Sequence, residues 1–182
     1  MFVLGIDPGL SRCGYGCVLR REGGPVHAGT GNRLEAVAAG VITSPPTQPL
    51  PERLAALADE LAALIAELRP DVVVVERVLF QTNARTAMAT GQASGLALAA
   101  AARAGCEVRQ YSPNEVKMAV AGYGSADKAQ VQRMVQAQLG LASIPRPPDA
   151  ADALALALTH LASAPLLARA AAAIAAAEGS RS

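Results

Sequence analysis

Four consecutive valines, Val72 to Val75, run straight into Glu76 and constrain this chain more than any other stretch. A β-branched run without polar alternation marks a strand buried on both faces, which requires helices on either side of a sheet. The 182 residues suffice for one such domain, since a chain of that length can bury ~70 % of its surface. Phe2 to Ile6 is a second short apolar run, closed by Asp7-Pro8-Gly9, and reads as a strand followed by a turn. Gly14 to Leu19 and Ala36 to Thr43 read as strands on either side of a glycine-rich loop, Gly23 to Asn32.

Helices fill the intervals. Leu54, Leu57, Leu61, Leu64, Ile65 and Leu68 recur at helical spacing up to Arg69-Pro70. A helix is predicted from Asn83 to Arg103 and a strand from Glu107 to Gln110. Ser112-Pro113-Asn114-Glu115 is a capping box with proline at the first helical position, so a helix opens there. Another follows Gly122-Tyr123-Gly124-Ser125 and runs to Leu139. After Pro145, Pro147 and Pro148, one helix is expected from Asp149 to about Leu161, and a separate alanine-rich one from Pro165 to Ala177. The order β-β-β-α-β-α-β-α-α-α predicts an α/β fold: a five-stranded mixed sheet flanked by helices on both faces. The expected division is a domain over 1–165 and an alanine-rich helical tail over 166–182.

Composition excludes several functions. Hydrophobic residues make up 52 % but aromatics only 3 %, which argues against a face that stacks successive bases. Cys13, Cys17, Cys106, His27 and His160 are scattered without zinc-ligand spacing, and an odd cysteine count suits a reducing cytosol. Mean hydropathy is +0.27, yet Asp152 and His160 interrupt one apolar stretch and Arg169 another. A soluble cytoplasmic protein without a membrane span is therefore expected. Net charge is only +1, but it is unevenly spread. Residues 1–76 carry six basic and nine acidic groups, residues 77–148 eight and three, and residues 149–182 two and three. A basic middle between acidic flanks is a local field suited to an anionic partner.

Four carboxylates stand out by position. Asp7 ends one apolar strand and Glu76 another, while Asp149 and Asp152 lie three apart and share a helix face. If the first and fourth strands are parallel neighbours, Asp7 and Glu76 lie side by side, because strands run ~4.8 Å apart. Converging carboxylates keep their charge only beside a cation, and hard oxygen donors favour Mg²⁺ or Mn²⁺. Two such ions ~3.5–4 Å apart suit in-line phosphodiester hydrolysis. Plainer roles also exist: Asp149 could cap a helix, and Asp7 could merely turn the chain.

Leu4-Gly5-Ile6-Asp7-Pro8-Gly9 with Gly14-Tyr15-Gly16, Val75-Glu76-Arg77-Val78, Gly91-Gln92, Gly122 to Lys128 and Asp149 to Ala155 together resemble the RuvC family of bacterial Holliday-junction resolvases. The motifs run in order across residues 2 to about 162. The resemblance implies an RNase H-like fold, a homodimer, and Asp7, Glu76, Asp149 and Asp152 as metal-binding catalytic acids. It implies Mg²⁺-dependent hydrolysis of two symmetric strands of a four-way DNA junction, leaving 5′-phosphate and 3′-hydroxyl ends. RuvA and RuvB, the branch-migration proteins, are the implied partners. A sugar kinase or actin-like ATPase shares only the opening motif and needs a far longer chain. A related RNase H-like protein acting on RNA, such as the YqgF group, shares the opening motif, but Asp149-Ala150-Ala151-Asp152 and the Lys128 loop favour the RuvC resemblance.

The only lysines, Lys117 and Lys128, fall within the basic segment, and both match basic positions of the family. Lys128, counted with the catalytic acids, opens a helix whose N–H groups favour phosphate. Arg77, Asn83, Arg85, Ser125 and the further arginines Arg109 and Arg133 extend the candidate DNA track. The family's base wedge aligns with Leu79-Phe80, either of which could unstack a base step or cover the core. Ala87, Gly91, Gly95 and Ala99 form a small-residue stripe that could pack on the sheet or on a second copy.

Overall fold

A computed structural model describes the backbone of residues 1–22, 32–78 and 84–179. Most of the Gly23–Asn32 loop and all of the segment 79–83 lie outside the described residues. The element order is β1 (Phe2–Asp7), β2 (Arg12–Glu22), β3 (Asn32–Thr43), α1 (Leu50–Leu68), β4 (Val72–Glu76), α2 (Ala84–Arg103), β5 (Glu107–Tyr111), α3 (Pro113–Ala121), α4 (Lys128–Leu139) and α5 (Pro148–Gly179). The strands form one sheet in the order β3-β2-β1-β4-β5. β1 pairs antiparallel with β2 and parallel with β4, and β4 pairs parallel with β5. The expected mixed five-stranded sheet is what the chain builds.

Strand alternation divides the core in two. Val3, Val18, Val72 and Val74 face α3, α4 and α5, where Val116, Val135, Leu154 and Leu158 meet them. Leu4, Ile6, Val73 and Val75 face α1 and α2, against Leu57, Leu61, Ile65, Ala93 and Ala97. The valine run is thus buried on both sides, and period-two geometry turns the next residue, Glu76, toward α5. The same count turns Asp7 to that face. On α2 the sheet-facing side is Ala93, Ala97 and Ala101. Gly91, Gly95 and Ala99 are exposed, and a Cβ at either glycine would meet nothing within 4 Å. Packing of the small-residue stripe onto the sheet is therefore ruled out.

The site depends on how closely α5 lies on β1 and β2. Gly5 and Gly14 both face it: a Cβ on Gly5 would overlap the carbonyl oxygen of Ala153, and one on Gly14 the carbonyl oxygen of Asp149. Gly14 is also the direct cross-strand partner of Asp7. The missing side chains let the helix backbone rest on the sheet beside the end of β1.

Two expectations are corrected here. α5 is a single 32-residue helix with Pro165 inside it, not two helices separated at that proline. Proline costs a helix ~3 kcal/mol, but alanines on both sides and the burial of Ala150–Leu161 hold the axis through it. Asp149 is not a cap, because the helix already begins at Pro148. By length and composition Pro148–Ile174 could cross a membrane, yet 67 % of its most apolar window is buried in this fold, as in a core helix. Tyr111 on β5 lies 3.0 Å from Nδ1 of His160, which is buried on α5, and so ties the edge strand to that helix.

Gly14→Ala should force α5 off the sheet at Asp149. The expected loss is ~1–3 kcal/mol, as for overpacked cores, read as a lower midpoint in denaturant titration. An unchanged midpoint would show that the helix has room to spare.

Candidate active site

Three segments far apart in sequence deliver four carboxylates to one end of the sheet. In the parallel β1–β4 ladder Ile6 pairs with Val75, so Asp7 and Glu76 are the next residues along, side by side on the α5 face. Asp149 and Asp152 sit one turn apart at the N-terminal end of α5. The Asp7 carboxyl feels the charges of Glu76, Asp152, Asp149 and Lys128, and Glu76 feels Asp152 and Lys128. The acids are brought together as the spacing predicts.

Two protein cations enter the same cluster. Lys128 is the first residue of α4, and its Nζ lies 2.5 Å from Oδ2 of Asp152. The helix starts there because Asp127 accepts from the Gln130 N–H while the Gln130 side chain accepts from the Asp127 N–H. Arg12, the first residue of β2, donates from Nε (3.1 Å) and Nη2 (2.7 Å) to Oδ2 of Asp149.

Burial and neighbouring charge set the protonation. Burial, reinforced first by Glu76, pushes the Asp7 carboxyl up to about 7. Burial also raises Glu76, with Asp152 adding to it. The two acids of α5 go in opposite directions although each has a cation. Asp149 is held below the ordinary range by its hydrogen bond from Arg12. At Asp152 desolvation exceeds the pull of Lys128, so it is raised. Burial draws Lys128 down, but the hydrogen bond and charge of Asp152 outweigh it and leave it raised.

Among the described residues, four acids against two cations leave a formal charge of −2 in a half-buried space, which is the charge one divalent ion would cancel. All four donors are hard oxygens, the chemistry that suits Mg²⁺. Among the described residues no three carboxylates, thiols or imidazoles are arranged as an ion's ligands, and the α5 pair is turned to Lys128 and Arg12. The donor set fits a divalent cation in type and charge.

The loop carrying Asp7 and Arg12 is braced from behind. The buried Ser44 hydroxyl donates to the Leu10 carbonyl (2.6 Å) and accepts from Nε of Arg53 (3.0 Å). Nη2 of Arg53 in turn donates to Ser11 Oγ (2.6 Å). Neither this brace nor the Arg12–Asp149 pair is readable from sequence, since the partners stand 42 and 137 residues apart. The Asp127–Gln130 box was readable as a D-x-x-Q signal ahead of a helix.

Other predicted residues fall around the cluster. Arg77 is exposed just past Glu76; its Nη2 donates to the Gln110 carbonyl (3.2 Å) and its Nη1 lies 3.7 Å from Glu115 of α3, a helix on the same side of the sheet as α5. Ser125 is exposed in the α3–α4 turn, and Lys117 is half-exposed on α3. Arg109 lies mid-strand opposite Val74, paired with Glu107 (2.6 Å) and away from the strand end that carries the acids. Leu79, Phe80 and Asn83 lie outside the described residues, as does the side chain of Arg85 at the start of α2.

Known proteins share this arrangement of sequence and fold. The family profile described as crossover junction endodeoxyribonuclease RuvC matches residues 3–160. This chain is a member of the RuvC family. The RuvC protein of Chloroflexus aggregans is 50 % identical over 169 residues, covering 93 % of this chain and 98 % of that protein. The RuvC of Salinispora arenicola is 54 % identical over 161 residues, 88 % of this chain and 87 % of the other. The solved Thermus thermophilus RuvC structure superposes with a TM-score of 0.81 at 37 % identity, covering 91 % of this chain and 96 % of that one. The yeast mitochondrial Holliday junction resolvase, at 16 % identity and a TM-score of 0.64 over 88 % of this chain and 77 % of its own, shares the fold. The architecture is RNase H-like, as expected.

Burial of Asp7 has a measurable consequence. An unfolded aspartate releases its proton near 3.8, whereas Asp7 in the fold holds it to about 7. Between those values the native state binds more protons, so this group's contribution falls as pH rises, by at most about 1.4 kcal/mol per pH unit. His160, lowered by burial, acts with the opposite sign near its ordinary value. Comparison with Asp7→Asn isolates the carboxyl. In EDTA the variant should melt higher than the unmodified protein at pH 8, with the advantage vanishing toward pH 4. A variant less stable at pH 8 would contradict the burial argument.

Proposed function

We propose that this chain is a structure-selective endodeoxyribonuclease that resolves Holliday junctions by two symmetric, metal-dependent strand cuts, in homologous recombination and DNA repair. The observation that carries the reading is the meeting of Asp7, Glu76, Asp149 and Asp152, from β1, β4 and α5, in a chain of the RuvC family. Thermus thermophilus RuvC solved in complex with a Holliday junction substrate superposes with a TM-score of 0.79 at 34 % identity, over 91 % of this chain and 96 % of the other.

The four acids would hold Mg²⁺, two ions per site, with Mn²⁺ able to substitute. Mg²⁺ held there supplies positive charge to the phosphate and lowers the pKa of water. The residues of the chain do the rest. Asp7 and Glu76, fixed at the ends of paired strands, set the floor of the site and accept protons or cations there. Lys128, at the N-terminus of α4, moves between Asp152 and the phosphate, where ammonium and helix N–H groups favour the added negative charge. Water attacks phosphorus and the bond to the 3′ oxygen breaks, leaving a 3′-hydroxyl and a 5′-phosphate. Lys117, Ser125, Arg77, Asn83 and Arg85 line the DNA track, and the Leu79-Phe80 pair is the base wedge.

Two cuts need two sites, and the exposed stripe Gly91, Gly95 and Ala99 on α2 supports a homodimer through that face. Residues 1–165 form the nuclease domain and 166–182 its tail. The protein works as a soluble cytoplasmic enzyme on junctions that RuvA and RuvB migrate.

A synthetic four-way junction and a linear duplex of the same sequence, each in Mg²⁺, Mn²⁺ or EDTA, test the activity. Paired nicks are expected on the junction alone and none in EDTA. Asp152→Asn should abolish cutting and still shift the junction on a gel; normal cutting by this variant would remove Asp152 from the site. Lys128→Ala should slow cleavage and lower the slope of log affinity against log salt by about 0.9, the value of one phosphate on B-DNA. Gly91→Arg should keep the circular dichroism of the fold and sediment as a monomer, and a dimer in that variant would move the two-fold axis elsewhere.

A further inference from the structure

Arg12 was not among the residues the sequence singled out, yet it forms the closest arginine contact of the cluster. Its Nε and Nη2 converge on a single oxygen of Asp149, with its side chain 49 % exposed and the carboxylate 24 %. The guanidinium therefore sits at the rim of the site. The backbone beneath it is fixed by Ser11, Ser44 and Arg53, so only the side chain is free to re-aim.

Arginine keeps its proton under any ordinary condition. When Asp149 turns to another cation, Arg12 keeps its charge and is free to meet another anion at the mouth of the site. At the mouth of a site that acts on a phosphodiester, that anion is the phosphate, which a guanidinium fork matches in shape as well as charge. We propose that Arg12 is a phosphate-binding residue of this active site, held on Asp149 in the free protein and released to the DNA strand when a divalent cation takes that carboxylate. The inference rests on the metal-site reading above.

Two measurements test it, neither of them cleavage. Mn²⁺ binding to the protein without DNA, followed by paramagnetic resonance, should be roughly two- to five-fold tighter in Arg12→Gln, because a partly exposed ion pair no longer competes. Junction affinity by fluorescence anisotropy, with the DNA checked as uncut, should show a salt slope shallower by about 0.9 in Arg12→Gln when Ca²⁺ is present. In EDTA the slopes of variant and unmodified protein should coincide, because Arg12 then rests on Asp149. Arg12→Lys, which keeps the charge without the fork, should keep the unmodified salt slope in Ca²⁺ while binding the junction more weakly, and it serves as the test if the glutamine variant melts early. Equal Mn²⁺ affinities or equal slopes in Ca²⁺ for Arg12→Gln, or an unchanged junction affinity for Arg12→Lys, overturn the role of Arg12. Failure of the unmodified protein to bind Mn²⁺ at all would instead overturn the metal-site reading, and this inference with it.

Discussion

The contact between α5 and the glycine-bearing face of β1 and β2 decides where the four carboxylates meet. Gly5 and Gly14 allow the backbone of Ala153 and Asp149 to rest where side chains would otherwise stand. That approach sets the first turn of α5 beside the end of β1, and the parallel β1–β4 ladder then adds Glu76 to Asp7. Remove the approach and the chain keeps its sheet but loses the convergence. Packing and function share one constraint here.

The convergence works against stability. Desolvation drives Asp7, Glu76 and Asp152 toward the neutral form, and their mutual repulsion adds to it. Lys128 and Arg12 offset part of that cost without cancelling it, since among the described residues Asp7 and Glu76 have no ion pair of their own and only share the charge of Lys128 at a distance. Local conflict of this kind, in a domain otherwise consistent from strand alternation to capping boxes, is what a functional site looks like in physical terms. The conflict also has a direction: it favours uptake of positive charge, from protons or from a divalent ion.

Much of the architecture was readable because it depends on local pattern. The valine run before Glu76 demanded two covered faces, and both cores formed on them. The box Ser112–Glu115 opened α3 where it was expected. Pro165 misled, because a local penalty of a few kcal/mol was outweighed by alanine propensity and the burial of the preceding turns. The small-residue stripe on α2 could not be assigned a face from spacing alone, since Ala93, Ala97 and Ala101 offer the sheet an equally small side.

By itself the sequence determined the order of elements, the sheet's double burial, and that two acids end apolar strands while two more share one helix face, because strand and helix periods are properties of neighbouring residues. Only the tertiary structure decided which cation meets which acid, how the Asp7 loop is braced through Arg53, and that the α2 stripe is left open. Those contacts join residues tens to more than a hundred positions apart, and no local propensity encodes a distance that only the packed chain creates.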